Sequence, residues 1–130
     1  MKILHIEDNQ EISAIFSDIL KIADHNFEST VDGREGLEMV LKNNYDVILL
    51  DIGLPHYTGF DFLVDLKINK ASEIRKVIIV TSLQLEEYQT QFLMNLGIHS
   101  IEVKPISVQR ILSTMIPKLS PSFFSFNDLR

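Results

Sequence analysis

The sequence predicts a three-layer α/β fold, doubly wound around a five-stranded parallel sheet. Three observations lead there. Five short apolar segments alternate with five stretches of helical periodicity. Two of the segments, Val47 to Leu50 and Val77 to Val80, are apolar throughout, as strands covered on both faces are. Polar residues stand at the segments' carboxyl ends, the edge where open α/β sheets place their ligands.

Taken in order, Ile3 to Ile6 is the first strand, interrupted by His5 and running into Glu7-Asp8. Ile12, Ile15, Phe16, Ile19, Leu20 and Ala23 then recur at helical spacing, with Asp8 or Asn9 able to cap the start. Phe27 to Val31 is a weaker strand, which Asp32-Gly33 turns into a helix carrying Leu37, Val40 and Leu41 inward. Val47 to Leu50 is the central strand. Asp51 follows it at once, and Gly53, Pro55 and Gly59 break the chain into a loop.

Phe60, Leu63 and Val64 mark a third helix that gives way around Asn69 to Ser72. The strand Val77 to Val80 ends in Thr81-Ser82. Leu85, Tyr88, Phe92 and Leu96 suit a fourth helix with Gly97 as its C-cap. Ile98 to Val103 forms a last strand ending in Lys104-Pro105. Val108, Ile111, Leu112, Met115 and Ile116 line a fifth helix that Pro117 stops.

Length and composition bound the function. With 130 residues, 45% of them hydrophobic, the chain makes one globular domain, expected over residues 1–119 with a tail over 120–130. A net charge of -6 and a pI near 5.1 disfavour a nucleic-acid surface, which needs clustered Lys and Arg. The lack of cysteine excludes disulfides and thiolate metal sites. Acids at Glu7 and Asp8 come too early for a signal-peptide core, and no apolar run approaches the roughly 20 residues of a membrane span. The expectation is a soluble, cytoplasmic protein without a membrane partner.

In a parallel sheet, Glu7, Asp8, Asp51, Thr81 and Lys104 gather on one rim. Two carboxylates about 5 Å apart repel by roughly 3 kcal/mol at an effective dielectric of 20, so three together call for a cation. Oxygen-only ligands with positions left open suit Mg²⁺, and Mn²⁺ nearly as well, with the Gly53 carbonyl able to join them. Asp51 can then attack phosphorus to give an aspartyl phosphate, while the Lys104 ammonium and the Thr81 hydroxyl each take a phosphoryl oxygen. Any one of these residues alone is more often a helix cap, a turn residue or a surface lysine. Their joint order carries the reading.

Glu7-Asp8, Asp51-x-x-Leu-Pro-x-x-x-Gly59, Thr81-Ser82 and Lys104-Pro105 together resemble the signature of response-regulator receiver domains, over roughly residues 1–117. The resemblance implies a flavodoxin-like receiver fold with strand order 2-1-3-4-5. It implies phosphorylation of Asp51 by a histidine kinase or phosphotransfer protein, with Glu7, Asp8, Asp51 and the Gly53 carbonyl holding Mg²⁺. Thr81 would be the switch hydroxyl, Lys104 the phosphate-pairing cation, and Pro105 would follow a cis peptide bond. The chain would then be a signalling switch acting on a downstream protein, rather than an enzyme.

Two positions depart from the family pattern. Ile101 stands where the family usually carries Tyr or Phe, which removes the aromatic rotamer switch, and Leu54 replaces a common Met.

Three other readings compete. A small Mg²⁺-dependent aspartyl-phosphate phosphohydrolase would need a second acid near Asp51 and a cap over the substrate. A flavodoxin-like cofactor binder would need a glycine-rich loop after the first strand. A scaffolding receiver that is never phosphorylated would not need so complete a rim. Of the four histidines only His56 belongs to the central loop, and His5 is expected to be structural. Phe123, Phe124 and Phe126 of the tail are expected to pack on their own domain, or else to dock a partner or a second copy as a homodimer.

Overall fold

The computed structural model describes residues 1–22, 24–104, 110 and 113. Five strands form one sheet: β1 (Lys2–Ile6), β2 (Asn26–Thr30), β3 (Val47–Leu50), β4 (Val77–Thr81) and β5 (Ser100–Val103). Their order is β2-β1-β3-β4-β5 and every pairing is parallel, as expected. The described α-helices are α1 (Gln10–Ile22), α2 (Gly33–Lys42), α3 (Gly59–Lys70) and α4 (Glu87–Leu96), with a 3-10 turn at Ala71–Lys76. The expected fifth helix, apart from Arg110 and Ser113, together with Pro105 and the Phe-rich tail, lies outside the described residues.

The sheet divides the core in two because neighbouring side chains on a strand point to opposite faces. Leu4, Ile6, Ile48, Leu50, Val77 and Ile79 face Val40 of α2, Phe62, Leu63 and Leu66 of α3, and Leu93 of α4. Ile3, Val47, Leu49, Ile78 and Val80 face Phe16 and Leu20 of α1. Each fully buried Leu or Ile is worth about 1.5–3 kcal/mol relative to exposure, so the apolar runs of β3 and β4 account for much of the stability. His5 lies on the second face, stacked on Phe16 with ring centroids 5.1 Å apart, and burial first, then the nearby Lys104 charge, pulls its pKa down to about 4. It is a core residue.

Local signals set the helix starts. Asn9 caps α1 by accepting from the Glu11 and Ile12 N–H groups at 3.0 and 3.1 Å. Asp32 caps α2 by accepting from Arg34 N–H at 2.9 Å. Thr58 and Asp61 form a reciprocal capping box at α3. Gly97 ends α4 in the left-handed conformation, with φ 98°, as the sequence predicts.

The helical stripes are less faithful to the core. Val40 is buried, but Leu41, expected inward, is 37% exposed. Ile15, Val64, Tyr88 and Phe92 are also exposed, while Leu93 is the buried residue of α4. The β2 strand ends at Thr30, one residue early, and leaves Val31 in solvent.

Candidate functional site

The strand ends converge through backbone hydrogen bonds. Glu7 N–H donates to Thr30 C=O at 3.0 Å, Asp51 N–H to Ile6 C=O at 3.0 Å, and Lys104 N–H to Thr81 C=O at 2.8 Å. These bonds extend the sheet by one residue past its strands, so Glu7 and Asp51 leave the neighbouring strands β1 and β3 side by side, and Lys104 leaves β5 on the far side of β4. Carboxylate oxygens of Glu7, Asp8 and Asp51 all lie within 4.8 Å of one another.

Each group sits in a different environment. Glu7 is 1% exposed and Asp51 9%, whereas Asp8 is exposed. The Lys104 ammonium donates to Glu7 Oε1 and lies 3.5 Å from Asp51 Oδ2. Burial, and then the neighbouring Asp51 carboxyl, push Glu7 up to about 7 despite the Lys104 charge. Burial would lower Lys104, but its bond to Glu7 and the charge of Asp51 hold it above the ordinary lysine value.

The loop after Asp51 turns back on it, since Gly53 N–H donates to Asp51 Oδ1 at 3.0 Å. The buried Thr81 hydroxyl accepts from Leu83 N–H at 3.0 Å. All five residues predicted for the rim from their side chains are thus placed at adjoining strand ends, with Gly53 joined to them through its backbone. Pro105 lies outside the described residues.

This donor set fits a hard divalent cation. It consists of oxygens only, and Glu7 Oε2 is buried without a hydrogen-bond partner among the described residues. A buried acceptor without a donor is costly, and a cation beside it would satisfy it.

Nothing in the sequence marks two neighbours of the rim. Leu83 stands over Gly53, where a Cβ would meet its Cδ1 at 3.4 Å. Tyr57, 6% exposed, lies in the loop itself. A lone leucine and a lone tyrosine in polar turns give no periodicity by which to find them.

A doubly wound parallel sheet with an acid cluster and a lysine at its carboxyl edge defines the receiver class of signalling domain. The family model for the response regulator receiver domain matches residues 3–116, and the chain belongs to that family. It is 34% identical over 119 residues to the transcriptional regulatory protein HprR of Escherichia coli, covering 92% of this chain and 52% of that protein. It is 30% identical over 112 residues to the response regulator ArlR of Staphylococcus saprophyticus, covering 86% of this chain and 49% of that one. The chain therefore spans about half the length of these relatives.

Among solved structures, the chemotaxis protein CheY4 of Vibrio cholerae superposes with a TM-score of 0.79 at 27% identity, covering 91% of this chain and 98% of that one. The receiver domain of a Pseudomonas aeruginosa sensor histidine kinase, solved with magnesium in its active-site cleft, has a TM-score of 0.77 at 19% identity, covering 89% and 94%. Among the described residues no helix is long and apolar enough to cross a membrane.

Proposed function

We propose that this receiver domain is a phosphorylation-dependent switch in which Asp51 accepts a phosphoryl group from a histidine kinase or histidine phosphotransfer protein. The observation that carries the reading is the joint placement of Glu7, Asp8 and Asp51 with a single ammonium, Lys104, bridging two of them. Glu7, Asp8, Asp51 and the Gly53 carbonyl would hold Mg²⁺, or Mn²⁺. When bound, that ion supplies neutralisation of the phosphoryl oxygens.

This chain's own residues do the rest. An Asp51 carboxylate oxygen forms the new P–O bond as the P–N bond to the donor imidazole breaks, and the imidazole leaves with the electron pair. Lys104 turns from Glu7 toward a phosphoryl oxygen, and the Thr81 hydroxyl donates to another. The product carries about -1.5 to -2 charges if it titrates like other phosphates, which shifts an existing equilibrium of the loop into α4 toward the active state. Acting only on itself, the domain is a cytoplasmic signalling protein whose output passes to a downstream partner. A phosphohydrolase is less well supported, because Asp51-Ile52-Gly53-Leu54 offers no second acid.

The deciding experiment is labelling by a small-molecule phosphodonor in Mg²⁺. Asp51→Asn is expected to abolish it, and undiminished labelling refutes the assignment.

A further inference from the structure

We propose that Tyr57 is a positioning residue for this site: clamped between Arg34 and Asp65, it fixes the loop that carries Gly53 against Asp51. The inference rests on the reading of the site given above. The loop from Ile52 to Thr58 holds its shape with few backbone bonds of its own, Gly59 N–H to Ile52 C=O at 3.0 Å and Tyr57 N–H to Pro55 C=O at 2.6 Å. Within it His56 is left-handed, with φ 64°, a conformation that side chains other than glycine avoid and that its surroundings must therefore impose.

Those surroundings centre on Tyr57. Its hydroxyl donates to the Asp65 carboxylate on the second turn of α3. The Arg34 guanidinium, at the start of α2, covers its ring at 4.5 Å from the centroid. A Cβ on Gly33 would lie 2.8 Å from the Tyr57 carbonyl oxygen and 2.9 Å from Cδ1, so α2 comes this close only because residue 33 is glycine. Tyr57, Arg34 and Asp65 wall a cleft of about 280 Å³ with His56, Asp61 and Val64.

Ile52 and Leu54 also bury their side chains, but apolar contacts resist sliding only weakly. The phenol–carboxylate bond is directional and ties the loop to α3 at a fixed distance. Gly53 lies four residues before Tyr57 and spends its N–H on Asp51 Oδ1. A loop free to shift at Tyr57 would loosen both that bond and the placement of the Gly53 carbonyl.

The test compares wild type with Tyr57→Phe, which keeps the ring and loses the hydroxyl, with Asp65→Asn, and with the double variant. Amide hydrogen exchange at Gly53 and Mn²⁺ binding by calorimetry are the readouts. Each single variant is expected to show about tenfold faster exchange at Gly53 and about tenfold weaker Mn²⁺ binding, with Leu49 in β3 unchanged and the double variant no worse than the singles. Unchanged Gly53 exchange, or faster exchange throughout the sheet, would overturn the proposal by making Tyr57 idle or a general stability element. Wild-type protein that binds no Mn²⁺ would overturn the reading of the site and this inference with it. Failure of the clamp alone is told apart because wild type and Tyr57→Phe would then bind equally well.

Discussion

The ammonium of Lys104 is bonded to Glu7 and stands 3.5 Å from Asp51 Oδ2, so one cation serves two buried acids while Asp8 adds a third carboxylate nearby. The rim therefore sets three acids against one ammonium, and a divalent cation would relieve the repulsion that remains. Asp51→Asn removes one charge and leaves the Lys104–Glu7 pair intact. In chelator at low ionic strength it is expected to be more stable than wild type by about 1 kcal/mol. Millimolar Mg²⁺ should raise the wild-type Tm and leave that of the variant nearly unchanged. Urea denaturation in chelator and thermal melts with and without Mg²⁺ check the two; equal stabilisation of the two proteins would mean the ion binds elsewhere.

Glu73 offers a pH-dependent contribution far from the rim. It is 5% exposed and paired with Lys70 at 3.3 Å and Lys76 at 2.5 Å. Burial alone would raise its pKa, but the hydrogen bonds from Lys76 and Lys70 more than reverse this and hold it below the ordinary 4.5. The folded carboxyl is thus the stronger acid, and on acidification the unfolded chain takes up the proton first. Its contribution is present above pH 4.5 and is lost as the pH falls through the folded value. Glu73→Gln is expected to cost roughly 1 kcal/mol at pH 7, and the gap from wild type should close toward pH 3. A gap constant from pH 7 to 3 would assign the cost to packing.

Gly59 joins the loop to α3 where no side chain fits. A Cβ there would lie 2.6 Å from Ile52 Cα and 2.9 Å from the Asp51 carbonyl oxygen, both backbone atoms that cannot swing aside. Gly59→Ala is expected to cost about 2–3 kcal/mol and to slow labelling, because α3 and the Asp51 segment must separate. Denaturation and labelling rates measured on the same preparation test this, and a stable, fully active alanine variant would show that the junction yields.

Much of this was legible before any coordinates. The unbroken apolar runs of β3 and β4 announced strands with both faces covered, and both faces are covered. Helical faces were harder to read, since a stripe shows periodicity without showing which side meets the sheet. Tyr88 and Phe92 mark α4 as a helix yet stay exposed, Tyr88 at 72% and Phe92 at 45%, and Leu93 beside them is its buried residue. Leu41 and Val64 mislead in the same way.

The sequence by itself determined the order of the described elements, the caps at Asn9 and Gly97, and which polar groups leave the sheet at its carboxyl edge. Those follow from periods, turns and caps, which act over a few residues. Tertiary structure alone decided that Lys104 bonds Glu7 across 97 positions of chain, that Glu7 Oε2 is left buried without a donor, and that Tyr57 lies between Arg34 and Asp65. Those are distances and burials set by how close helices and loops pack, and no local pattern encodes them.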